Sequence, residues 1–191
     1  SNDYVTFFFN ARKDSFDNAY IPTKGKSFGL SYDWVFGGGP QKFNNFHAFT
    51  LDAKQVVGGD RFAFIPSVNI RYLLGDEVPV PFTNTIGGSM AGRYLDQQIP
   101  FIGINNAAAM QKILGVARAD WRVKLLKNNY LTAIANYALS CDEISAFKNW
   151  NEDVAGYLGC GLQYTYNSIV GPLSLNVHWS SYTHNVGLYL S

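Results

Sequence analysis

The sequence predicts an all-β fold, an antiparallel up-and-down transmembrane β-barrel with about eight or nine strands in this chain. Three observations predict it. Apolar and polar residues alternate along nearly the whole length, and side chains on a strand point to opposite faces with period two. The alternating runs reach ten residues or more, about the length that crosses a bilayer at a tilt. Short and long connections also alternate along the chain, which gathers them at opposite ends of the sheet.

Composition fits. The 191 residues suffice for one domain with a sizeable core. A net charge of +1 gives no electrostatic case for nucleic acid. Charged residues are only 15% of the chain and aromatics are 16%. An ordinary soluble domain carries roughly 25% charged residues. No run approaches the roughly 20 apolar residues of a transmembrane helix, which leaves strands open as the spanning element.

The elements follow in order. An opening strand lies near Tyr4 to Asn10. Phe28, Leu30, Tyr32, Trp34 and Phe36 then share one face, with Ser27, Gly29, Ser31 and Asp33 on the other. Phe49, Leu51 and Ala53 oppose Thr50, Asp52 and Lys54. Phe62 to Leu74 alternates against Arg61, Ser67, Asn69 and Arg71, with Pro66 predicting a bulge or an edge. In "GVARADWRVKL" (115–125) Trp121 shares the apolar face, and Arg118, Asp120, Arg122 and Lys124 share the other. Leu131 to Leu139, Val154 to Tyr166 and Leu173 to Trp179 repeat the pattern, the last with Asn176 and His178 on its polar face. Val186, Leu188 and Leu190 end the chain. Stretch 105–114 holds at most a helical turn. Connections 57–60, 127–129 and 168–172 are tight, 37–45 and 141–153 are longer, and 75 to about 112 is very long. Cys160 falls opposite about Ala133, some eight residues from Cys141. That is roughly 25 Å along a strand, so both cysteines are free.

Periodicity alone leaves open which face looks inward. A soluble barrel or sandwich that binds a ligand or partner remains an alternative, and so does a passive diffusion pore. Strand length favours the membrane, and so does a polar face rich in Gly, Ser, Asn and Thr rather than Lys and Glu. Facing lipid, Arg118, Arg122 and Lys124 together would cost on the order of 5–10 kcal/mol. They therefore line a lumen together with His178 and Asn176, while Trp34, Trp121 and Trp179 face lipid.

Three stretches carry a family resemblance: "ARKDSFDNAYIPTKG" (11–25), "GGSMAGRYLDQQIPF" (87–101) and "GYLGCGLQYTYNSIVGPLSLNVHW" (156–179). They resemble the D…P-x-x-G turn, the lumen-directed external loop and the penultimate hairpin of the bacterial surface antigen superfamily, the BamA-like outer-membrane barrels. "AGRYLDQQIPFIGIN" and "KLLKNNYLTAIANYA" look most like the C-terminal barrels of Bacteroidetes patatin-like proteins. The resemblance covers the whole chain, 1–191, as one partial barrel. It implies a sixteen-stranded barrel of which this chain supplies about the last nine strands. The topology agrees, since the opening strand then starts outside the cell; if residues 1–25 do not span, eight strands remain. The resemblance further implies a membrane anchor in the bacterial outer membrane, with a role in protein translocation or assembly. The partners it implies are outer-membrane lipid, an upstream passenger domain or the remaining strands, and further copies of the chain. In the family a loop arginine reaches acidic residues on the barrel wall. Here that implies a pair of Arg93 with Asp120, although Gly92 and Arg93 stand transposed relative to the family's loop motif.

No enzyme is expected within this chain. Ser89 in "GGSMAG" lacks the G-x-S-x-G spacing of a serine elbow, so any patatin-like hydrolase lies upstream. "TKGKS" (23–27) lacks the first glycine of a phosphate loop. No catalytic group, metal or cofactor is expected.

Overall fold

Nine strands, eight of them of ten residues or more, form one antiparallel sheet in the computed structural model, which describes residues 3–39, 42–75, 78–88, 97–169 and 171–190. They are β1 (Asp3–Asp14), β2 (Gly25–Gly39), β3 (Lys42–Gly58), β4 (Phe62–Leu74), β8 (Ile113–Leu126), β9 (Asn129–Cys141), β10 (Ala155–Ser168), β11 (Gly171–Ser180) and β12 (Val186–Leu190). Each pairs with the next in that order, as a meander. β1 and β12 are the two edges. With nine strands they run in the same direction, so they cannot pair with each other antiparallel.

The alternation read from the sequence sets the two faces. One face carries exposed Phe28, Leu30, Phe49, Val68, Ile70, Trp121, Leu158, Leu162, Leu175 and Val177. Apolar side chains exposed in such number mark a surface that meets something other than water. The opposite, inner face lines a cavity of about 690 Å³ between β1, β2, β3, β4 and β8. No helix among the described residues is long and apolar enough to cross a bilayer, which says nothing about strands.

Four details differ from expectation. Pro66 marks neither an edge nor a register-shifting bulge. β4 is internal, and its ladder to β3 lapses opposite Gln55 and Val56 and resumes in the same register. Proline has no N–H to donate, so a short gap is the local cost. The bulge lies instead between Lys124 and Leu126. Stretch 37–45 is not a long connection, because β2 and β3 run through it as an extended hairpin. Stretch 105–114 contains no helix; Ala108–Ala109 forms β7, which pairs with Thr85–Ile86, β5. Both cysteines are free, with Cys160 opposite Ala135, two residues from the expected partner.

The connection from β4 to β8 builds its own small sheet, in which β5 also pairs with β6 (Gln98–Ile99). This loop lies over the inner face. Its Ile86, Ile99, Phe101 and Ile104 are buried against Leu114, Val116 and Ala138 of the wall. Burying each such side chain stabilises the seat by about 1.5–3 kcal/mol. The inner face is therefore polar in its middle and apolar near the loop.

Candidate functional site: the lined and covered inner face

The strand period places Arg118, Asp120, Arg122 and Lys124 on the inner face, with Trp121 on the outer. Arg118 forks onto Asp120, Nε to Oδ1 at 2.7 Å and Nη2 to Oδ2 at 3.0 Å. Both side chains are only 16% exposed. The planar guanidinium matches the carboxylate at two points, which holds orientation as well as charge. Sequence reasoning gave Asp120 a partner in Arg93 and counted Arg118, two residues away on the same face, only among the cations around it. Arg93 and Ser89 lie outside the described residues.

Further along the cavity wall, buried Arg71 donates from Nε to Asn84 Oδ1 at 3.0 Å and from Nη1 to Thr50 Oγ1 at 3.3 Å. Arg12 approaches Asp52 at 3.6 Å. Lys124 lies at the turn end and donates to both oxygens of Asp60, at 2.9 and 2.7 Å. The lining thus mixes both signs of charge.

Polar side chains of the wall and the loop root fasten the loop. Asn84 is fully buried and donates to the carbonyls of Gln111 and Lys112, each at 2.8 Å. It therefore joins Arg71 of the wall to the returning end of the loop. Asn136 Oδ1 accepts the Ile102 N–H at 2.9 Å. Ser140 Oγ accepts the Gln111 N–H at 3.0 Å, and Ser180 Oγ donates to the Gly103 carbonyl at 2.9 Å. Gly159 is needed for this approach, since a Cβ there would lie 2.2 Å from the Ile102 carbonyl oxygen. Sequence reasoning found none of these contacts. The available signal was a polar residue facing inward on two of the strands, Asn136 and Ser140 on β9 and Ser180 on β11.

Asn176 and His178 lie buried on β11 under loop residues Phe101 to Asn105, around a small space of about 10 Å³. Among the described residues Asn176 Nδ2 and His178 Nδ1 have no hydrogen-bond partner. Trp34 and Trp121 are exposed on the outer face, and Trp179 is half-buried there. Trp34 stacks with His47 and donates to Asn45 Oδ1 at 2.7 Å.

At the other end, residues 15–24 join β1 to β2 and fold inward. Asp17 Oδ1 accepts the N–H groups of Thr23 and Lys24 at 2.9 and 3.2 Å, and Oδ2 accepts the Thr23 hydroxyl. The Thr23 hydroxyl foremost, with those N–H groups, holds the Asp17 carboxyl down at about 2. Asn18 Oδ1 accepts from Tyr20 and Ile21. Gly25 closes the reversal at φ +114°, where any Cβ would meet the Ser15 carbonyl at 2.4 Å. Among the described residues no group of His, Cys, Asp or Glu could hold a metal.

An open sheet of tilt-length strands, apolar outside and polar inside with a loop folded across it, is part of an outer-membrane β-barrel. The sequence matches the OMP85 superfamily over residues 1–191, and the chain belongs to that family. Members are outer-membrane proteins of the surface-antigen type, in general non-enzymatic barrels. No curated protein matches the chain.

Proposed function

We propose that this chain is the C-terminal part of a barrel that anchors a larger protein in the outer membrane and serves its translocation or assembly. The parent on this reading is a patatin-like protein whose hydrolase domain lies upstream. One observation carries it: apolar side chains cover the outer face while charged pairs and a seated loop occupy the inner one. In lipid, unpaired N–H and C=O groups at the edges cost several kcal/mol each, by the usual estimate, so further strands cover β1 and β12. Antiparallel closure needs an odd number of them. A second copy inserted the same way up offers only a parallel seam, whereas the remaining strands of a sixteen-stranded barrel satisfy the condition.

Residues 75–112 then form the external loop, and Arg93 adds a second cation to Asp120, whose carboxylate has acceptor sites beyond the two that Arg118 uses. Arg118, Arg122, Lys124, Asn176 and His178 line the lumen, and Trp34, Trp121 and Trp179 meet lipid. Folding into lipid vesicles tests the reading. The intact protein is expected to insert and to show heat-modifiable electrophoretic mobility. A monodisperse protein without detergent would overturn it in favour of a soluble binding module. Ready ion conductance by the unmodified protein would favour a diffusion pore.

A further inference from the structure

Neighbouring antiparallel strands can be joined by two residues. β8 and β9 are joined that way, between Leu126 and Asn129. The connection of β1 to β2 runs from Ser15 to Lys24 instead, and its extra residues turn in beneath the sheet. Phe16 packs on Val56, Ala63 and Ile65 of the inner face. The Lys54 ammonium lies 5.7 Å above the Phe16 ring. Ile21 and Pro22 are buried. From β8, three strands away from β2, Arg122 reaches across and donates to the Pro22 carbonyl. Arg122 is itself only 8% exposed, with its guanidinium 5.8 Å from the centre of the Tyr130 ring.

The inner face is therefore covered by two different elements, the long loop over the cavity and residues 15–24 beyond it. Phe82 and Gln98 to Pro100 of the long loop line the cavity. Residues 15–24 cover the wall at the level of Val56, Ile65 and Arg122. The two covers share no residue. We infer that Ser15–Lys24 is a second gate on the lumen, latched by Arg122, and that passage of a polypeptide or of ions requires it to swing out. This rests on the barrel reading above. The latch suits release: it is one charge-assisted bond beside a small apolar patch, whereas the long loop is seated by a larger hydrophobic cluster shared with the wall.

Two constrictions in series set the test. Removing one leaves the other limiting. Potassium chloride conductance of the intact outer-membrane protein is measured in planar bilayers for four forms. These are the unmodified protein, a loop deletion (residues 80–105 replaced by a short Gly-Ser linker), a gate deletion (residues 16–23 replaced by Asn-Gly), and the two combined. Each single deletion is expected to stay within about twofold of the unmodified protein, and the combination to rise about tenfold or more. Arg122→Met with the loop deletion is expected to match the combination. The gate deletion keeps Arg122, so a folding defect in the point variant does not decide the matter. Full conductance from the loop deletion alone, with nothing added by either gate variant, overturns the gate and leaves the barrel standing. Failure of every form to insert overturns both.

Discussion

Asn136 Oδ1 accepts the main-chain N–H of Ile102 at 2.9 Å, across 34 residues of sequence and from the wall of the sheet to the loop that covers it. Ile102 is buried, so this N–H has no water to turn to. Asn136→Leu is expected to weaken the seat by about 1–3 kcal/mol, the cost of a buried donor left unpaired. Limited proteolysis within residues 80–105 should accelerate, while the sheet keeps its circular dichroism. An unchanged cleavage rate would show that the apolar seat alone holds the loop.

The proposed pair of Arg93 with Asp120 predicts a second effect. Arg93→Ala or Asp120→Asn should also loosen the loop, read as protease access to residues 80–105 in intact cells. Asp120→Asn disturbs the Arg118 fork as well. Arg93→Ala is therefore the cleaner arm, and unchanged cleavage there removes the pair.

Acid should open the turn at residues 15–24. Asp17 is held at about 2, below its ordinary 3.8, chiefly by the Thr23 hydroxyl. A carboxyl lowered by folding stabilises the folded form fully above its ordinary value and loses that contribution as the pH falls through the lowered one. Pepsin cleavage beside Phe16 and Tyr20 should therefore rise between pH 3.8 and about 2, relative to an unstructured reference peptide. Asp17→Ala should cleave rapidly across the whole range. A flat profile in the unmodified protein would count against the linkage.

The outer face should reject charge. Ala119 lies mid-strand on β8 opposite Pro66, on the same face as Trp121. Ala119→Arg is expected to cost about 2–4 kcal/mol in lipid, the penalty for a cation near the bilayer midplane. Urea titration of the protein folded in vesicles measures it. Ser67→Arg faces the cavity instead and should be tolerated.

The sequence by itself determined the strands and the side to which each residue points. Period two is a local property of extended backbone, so Trp121 and Arg118 must part whatever the rest of the chain does. The cost of charge in lipid then ranks the two faces without any coordinates. Local pattern was insufficient where backbone partners come from far away. Stretch 105–114 looks like a helical turn in isolation, yet Ala108 and Ala109 find their hydrogen bonds on Ile86 and Thr85. Pro66 looks like an edge, yet strands on both sides hold it inside the sheet. The apolar inner positions Val35, Phe46 and Leu73 break the polar-inside expectation and are nonetheless buried.

Only the tertiary structure decided what covers the inner face. Arg122 meets Pro22 across 100 residues, and Asn84 meets Arg71 only because the loop turns back over β4. Such contacts leave no periodic trace. They depend on how two covalently distant segments share one enclosed space, and there each buried N–H or guanidinium must find an acceptor or pay for its absence.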